Sequence, residues 1–222
     1  MKALVVFDLD GTLIDSRQDL AESTNELLVS YGATPLPIDD VARMVGEGAR
    51  VLVERALAAA GLAAAMPEAL DRFLEIYDRR LLQHTRPYDG IPDVVRAAAT
   101  TCALAVLTNK PEAPSRRLLE AFDLAGAFQW VIGGDSGFPR KPDPAGLSHL
   151  MAEAGVGGAG TLVIGDSMID VETARRAGAR VCAALYGFGH LREGLTLAPS
   201  EWSVDSPFDL DAVIGAVAAR PG

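Results

Sequence analysis

Ala3-Leu4-Val5-Val6-Phe7-Asp8-Leu9-Asp10-Gly11-Thr12 decides the fold. The opening apolar run is short, unbroken and shows no alternation, the pattern of a parallel strand covered on both faces. Two carboxylates one residue apart follow where that strand must end. Gly11 permits a sharp turn there, and Thr12 offers a hydroxyl and a backbone N–H. In an open parallel sheet, ligands bind outside the carboxyl ends of the strands. The first stretch of chain therefore sets two acids where chemistry occurs.

Beyond Asp15-Ser16 the period changes to that of a helix. Leu20, Thr24, Leu27, Leu28 and Tyr31 share one face, and Gly32 is a natural stop. Helical pattern resumes over Ile38–Val45, breaks at Gly46-Glu47-Gly48, and runs on to Ala60. A further helix is expected from Pro67 to Gln83. Helix alone thus fills residues 16–86, an expected cap domain inserted over the sheet. Residues 1–15 and 87–222 are expected to form the α/β core.

In that core, strands are predicted at Cys102–Leu107, Trp130–Ile132, Thr161–Ile164 and Val181–Leu185, with a last short one near Trp202–Val204. Helices are predicted at Pro92–Ala99, Glu112–Phe122 and Asp170–Ala177. Another is predicted after Asp143-Pro144, with Asp143 as N-cap and Pro144 at the first helical position. Strands alternating with helices predict a doubly wound parallel sheet with right-handed crossovers.

The 222 residues carry a net charge of −10, which argues against nucleic acid or an anionic membrane as a main partner. No apolar stretch approaches the roughly 20 residues that span a bilayer, and the run before Asp8 is too short for a signal peptide. A soluble, cytoplasmic chain is expected, as monomer or homodimer. Cys102 and Cys182 sit in apolar segments without a CxxC pattern and are expected as buried thiols. His84, His149 and His190 form no cluster. Gly155–Gly160 lies before its strand, at the wrong end of the sheet for a phosphate loop.

Three strand ends carry reactive groups: Asp8 and Asp10, Thr108, and Asp166. Lys141, ahead of Pro142, lies in a connection at the same edge. Closely spaced carboxylates repel and need a cation between them. Oxygen donors without His or Cys suit Mg²⁺, and Mg²⁺ with Lys141 would draw a phosphate dianion to an acidic protein. Of the two Gly-Asp-Ser triplets, the one at Asp166 is the expected metal site, since Asp170 follows it. Asp135 is expected to shape a turn.

Asp8-x-Asp10-Gly11-Thr12, then Thr108-Asn109, then Lys141-Pro142, then Gly165-Asp166-Ser167 with Asp170 resembles the haloacid dehalogenase superfamily of phosphohydrolases over essentially the whole chain. The resemblance implies a two-step phosphoryl transfer. Asp8 would be the nucleophile and Asp10 the general acid and base. Thr108, Asn109 and Lys141 would bind the phosphoryl group. Mg²⁺ would be held by Asp8, the Asp10 backbone carbonyl and Asp166, with Asp170 supporting the site from behind. The second acid, Asp10, sets the chain apart from the dehalogenase branch, which lacks it.

The loop Gly46-Glu47-Gly48-Ala49-Arg50-Val51-Leu52 is similar to the cap loop of phosphoglycolate phosphatases. It implies that Gly46, Glu47, Gly48 and Arg50 read the organic half of a small phosphorylated metabolite, with Arg50 on its carboxylate. Rival readings are a sugar-phosphate phosphatase, a β-phosphoglucomutase-like enzyme and a phospho-accepting receiver domain. Phosphonoacetaldehyde hydrolysis needs a cap lysine, and no lysine lies between Lys2 and Lys110.

Overall fold

A computed structural model of the chain describes residues 2–63, 66, 68–189 and 195–219. His190 lies outside the described residues, as does Pro67, the expected start of the third insert helix.

The opening run forms β1 (Leu4–Phe7), wholly buried. Its side chains alternate between two cores. Val5 and Phe7 join one cluster and Leu4 and Val6 the other, because successive residues of a strand face opposite ways. Both faces are covered by apolar packing, so the strand can be apolar throughout.

The chain then makes a two-residue β2 (Ile14–Asp15) and four helices. These are α1 (Arg17–Ser30), α2 (Ile38–Ala42), α3 (Ala49–Ala59) and α4 (Ala69–Arg80). It returns through β3 (Arg86–Pro87), which pairs antiparallel with β2: Ile14 faces Pro87 and Asp15 faces Arg86. Asp19 staples this junction from α1. Its carboxylate accepts the His84 and Thr85 N–H groups and the Thr85 hydroxyl at 2.7–3.0 Å.

The α/β pattern continues with α5 (Ile91–Thr101), β4 (Ala103–Leu107), α6 (Glu112–Ala121), β5 (Trp130–Ile132) and α7 (Ala145–Ala154). It closes with β6 (Thr161–Gly165), α8 (Met168–Arg176), β7 (Arg180–Ala184), β8 (Trp202–Val204) and α9 (Leu210–Ala218). The six-stranded sheet has the order β5-β4-β1-β6-β7-β8, and every pairing in it is parallel. From β1 the chain builds outward through β4 and β5, then crosses to β6 and builds the other way. The direction reverses between β1 and β6, where a crevice opens outside the carboxyl ends. Asp8 and Asp166 leave those two strands.

Local details differ from the sequence reading for identifiable reasons. α2 stops at Ala42, ahead of Gly46 and Gly48, which both take positive φ. α7 starts at Ala145 with Pro144 as N-cap, not Asp143. Asp143 instead accepts the Ala145 N–H at 2.9 Å. α8 starts two residues earlier than expected, at Met168, because Ser167 and Asp170 make a reciprocal capping box. Both cysteines are buried and unpaired.

Candidate active site

Loops leaving the carboxyl edge bring Asp8, Asp10, Thr108 and Asp166 to one cleft beneath the helical insert. Lys141 lies one layer back. Its ammonium sits 2.9 Å from Asp8 Oδ1 and 2.6 Å from Asp170 Oδ1. The Asp8 contact is an ion pair, and the buried Oδ1 has no other partner among the described residues. Burial lifts the Asp8 pKa to about 6, with Lys141 opposing and Asp170 assisting the rise. Burial also works against the Lys141 charge, but Asp170 and Asp8 overcome it and hold its pKa above the usual lysine value.

Asp170 has both oxygens engaged. Oδ1 takes Lys141, while Oδ2 accepts the Ser167 N–H at 3.1 Å and the Ser167 hydroxyl at 2.5 Å. The start of α8 therefore fixes Asp170, and Asp170 fixes Lys141. Asp166 is 3% exposed and accepts the Gly189 N–H at 2.7 Å. Burial raises its pKa well above the carboxylate range, and Asp8 and Asp170 add to the rise. Gly11 is required here. Its φ is +86°, and a Cβ would fall 1.9 Å from Asp166 Oδ2.

Asp8, Asp166 and Asp170 each place an oxygen within 4.8 Å of the others. Oxygen donors alone and two buried carboxyls that resist ionisation fit a hard divalent cation. With Asp170 already engaged, Asp8 and Asp166 have the donor capacity.

Asp10 has partners that the sequence reading missed. Ser16 donates its hydroxyl to Oδ1 at 2.6 Å. The Lys110 ammonium lies 3.2 and 3.1 Å from the two oxygens. It also donates to the Tyr77 hydroxyl of α4 at 2.6 Å and sits 4.4 Å from that ring's centroid. Burial pushes the Tyr77 hydroxyl up to about 12, so it stays neutral. Burial opposes the Lys110 charge, but Asp10 and Tyr77 outweigh it and raise its pKa. The site thus holds two buried ammoniums, not the single one expected. Lys110 is the one cation among the described residues that line the cleft. Its place right after Thr108-Asn109 was the available signal, but a loop lysine is ordinarily solvated.

Thr108 lines the cleft, its N–H bonded to Ile132 O at 3.0 Å and its hydroxyl accepting the Lys110 N–H at 3.2 Å. Asn109 lines the cleft, and its side chain is engaged within the protein. Its Nδ2 donates to Gly46 O at 2.9 Å and Lys141 O at 3.0 Å, and Oδ1 accepts the Lys141 N–H at 2.9 Å. Both amide protons are spent tying the insert loop to the Lys141 segment. Gly46 and Gly48 line the cleft, but Glu47 and Arg50 do not. Glu47 pairs with Arg55, and Arg50, in the first turn of α3, is exposed. In this arrangement Arg50 lies outside the cleft lining. Asp135 accepts the Glu112 N–H at 2.7 Å, serving the start of α6. His84 lies 3.7 Å from Glu22, and the His149 ring packs on Phe138.

The haloacid dehalogenase-like hydrolase family matches residues 5–184. Phosphoglycolate phosphatase 1 of Pseudomonas aeruginosa is 41% identical over 204 residues, covering 89% of this chain and 74% of that protein. The phosphoglycolate phosphatase of Rhodospirillum rubrum is 43% identical over 196 residues, 85% of this chain and 81% of its own. A crystal structure from Haemophilus somnus, described as a predicted phosphoglycolate phosphatase, superposes with a TM-score of 0.85 at 30% identity. That match covers 96% of this chain and 97% of the other. The parallel sheet, the acids at its carboxyl edge and these relatives agree: the chain belongs to the haloacid dehalogenase-like hydrolases and is a phosphatase.

Proposed function

We propose that the protein hydrolyses 2-phosphoglycolate to glycolate and phosphate through an aspartyl-phosphate on Asp8. One observation carries the mechanism. Asp8 is paired through Oδ1 with the Lys141 ammonium at 2.9 Å and shares its cleft with a second acid, Asp10. An Asp8 oxygen attacks phosphorus, the P–O bond to the organic group breaks, and Asp10 gives its proton to the departing oxygen. Water then attacks the phosphorus and passes a proton to Asp10. The P–O bond to Asp8 breaks, restoring the carboxylate.

Lys141 holds Asp8 in attacking position, and Asp170 holds Lys141. The Thr108 hydroxyl offers a hydrogen bond to the phosphoryl oxygens. Mg²⁺, held by Asp8, Asp166 and the Asp10 carbonyl, would neutralise the two acids and the incoming phosphate. Residues 16–86 act as a cap that excludes water while residues 1–15 and 87–222 hold the chemistry. Phosphoryl transfer depends on such positioning and electrostatics above all.

The names of the relatives and the cleft's lining support the substrate. Leu20, Val45, Leu52, Phe73 and Leu74 give the insert side an apolar face, poor at meeting sugar hydroxyls. The glycolate carboxylate is left to backbone N–H groups. α3 begins at Gly48 without a side-chain cap, so its first N–H groups are available to an anion. No helix of the described residues is long and apolar enough to cross a membrane, in keeping with a cytoplasmic metabolite as substrate. The test is a panel of phosphate esters assayed with Mg²⁺. Preferred turnover of 2-phosphoglycolate supports the reading, and preferred turnover of a hexose phosphate overturns the substrate.

A further inference from the structure

Asp10 is held by a sheet-side lysine that is itself bonded to the insert. Its two oxygens lie 3.2 and 3.1 Å from the Lys110 ammonium, which bonds the Tyr77 hydroxyl of α4 at 2.6 Å. Lys110 leaves β4 of the sheet, whereas Tyr77 belongs to the insert. Both sit in the interior: Lys110 is 7% exposed and Tyr77 is 4% exposed. Phe73 stacks on Tyr77 at 5.8 Å and with 4° between the rings, which fixes where the hydroxyl points. A buried ammonium must keep its partners, so Lys110 follows both.

We propose that Lys110 is a positioning residue for Asp10, and that Tyr77 makes this positioning depend on the seat of α4 against the sheet. With the insert seated, Tyr77 and Asp10 share one ammonium and Asp10 is held at the cleft. With α4 displaced, Lys110 loses the partner that fixes it, and Asp10 is left with the Ser16 hydroxyl at 2.6 Å and a less constrained ammonium. The acid would then be correctly placed only when the cleft is covered. The inference rests on the general acid–base reading of Asp10.

The test separates the proton-dependent step from the rest. First-turnover phosphorylation of Asp8 is measured with 2-phosphoglycolate, whose leaving oxygen needs a proton, and with p-nitrophenyl phosphate, whose leaving group does not. Lys110→Met is expected to slow the first substrate on the order of tenfold or more while slowing the second far less. Tyr77→Phe, which keeps the ring stack, is expected to give the same selective loss at smaller size. Combining it with Asp10→Asn should add nothing to the loss from Asp10→Asn alone. Equal loss on both substrates would mean a structural role and overturn the proposal. An unchanged Tyr77→Phe enzyme would overturn the dependence on α4, and that variant keeps the test open if Lys110→Met does not fold. Asp10→Asn serves as the reference. If it spares both substrates, the reading of Asp10 itself fails; if it is selective while Lys110→Met and Tyr77→Phe are silent, only this inference fails.

Discussion

The two walls of the cleft are built from opposite materials. The sheet wall presents Asp8, Asp10, Thr108, Lys110 and Asp166, each held by a named partner or by burial. The insert wall is apolar, and its one ionisable group, Tyr77, turns its hydroxyl to Lys110. Charge that must be buried is placed where strand ends hold it rigidly, and the insert supplies shape and dryness. A substitution on the first wall should strike turnover; one on the second, Tyr77 apart, should strike affinity and stability.

Asp8→Asn is the severest test of that division. Turnover is expected to fall by at least about three orders of magnitude, as when a nucleophile is lost, with the melting temperature nearly unchanged. Near-normal activity would dissolve the contrast between the walls. Removal of divalent cations is expected to come next. Chelation should silence the enzyme and Mg²⁺ restore it, as read by release of phosphate.

The electrostatics of the sheet wall make a pH prediction. Asp8 takes up its proton near pH 6 when folded, above the ordinary 3.8, and Asp166 also binds its proton more tightly. A divalent cation must displace those protons. Thermal stabilisation by added Mg²⁺ should therefore shrink as pH falls through about 6 and grow above it. Without metal the sign is opposite for Asp8. The folded chain binds its proton more tightly than the unfolded chain, so this contribution to stability falls as pH rises from about 4 to about 6. A metal-induced shift in melting temperature that stayed flat from pH 5 to pH 8 would contradict the assignment of these acids.

On the insert wall, Phe73→Ala should cost about 3–5 kcal/mol of stability, the usual loss for a buried aromatic. Calorimetry would measure it. The smallest effect belongs to Arg50→Ala, whose side chain is exposed and outside the cleft. The KM for 2-phosphoglycolate is expected to stay within about twofold, the scale of a surface substitution. A large rise would return Arg50 to the substrate.

The same contrast governs what could be read from the chain. The sheet wall was legible because a strand end fixes its next residue: Asp8 after β1, Thr108 after β4 and Asp166 after β6 each needed only a local pattern. The parallel sheet followed from apolar runs buried on both faces. The contacts of Lys110 and of the Asn109 side chain were not legible, because they reach residues 33 and 63 positions away. No local pattern announces that a helix will dock over them. The position of Arg50 was hidden for the same reason: its exposure depends on how α3 sits over the sheet. The start of α8 shifted because Ser167 and Asp170 cap it reciprocally, a pairing that composition alone leaves unassigned.

The paired β2 and β3 have a consequence for engineering. The chain leaves the sheet and returns to it as antiparallel neighbours, Asp15 opposite Arg86. Neighbours of that kind are joined in hairpins by two-residue turns. Everything between them is therefore topologically detachable. A short Asn-Gly turn, or another inserted module, spliced between Asp15 and Arg86 would leave the chain path of the six-stranded sheet continuous.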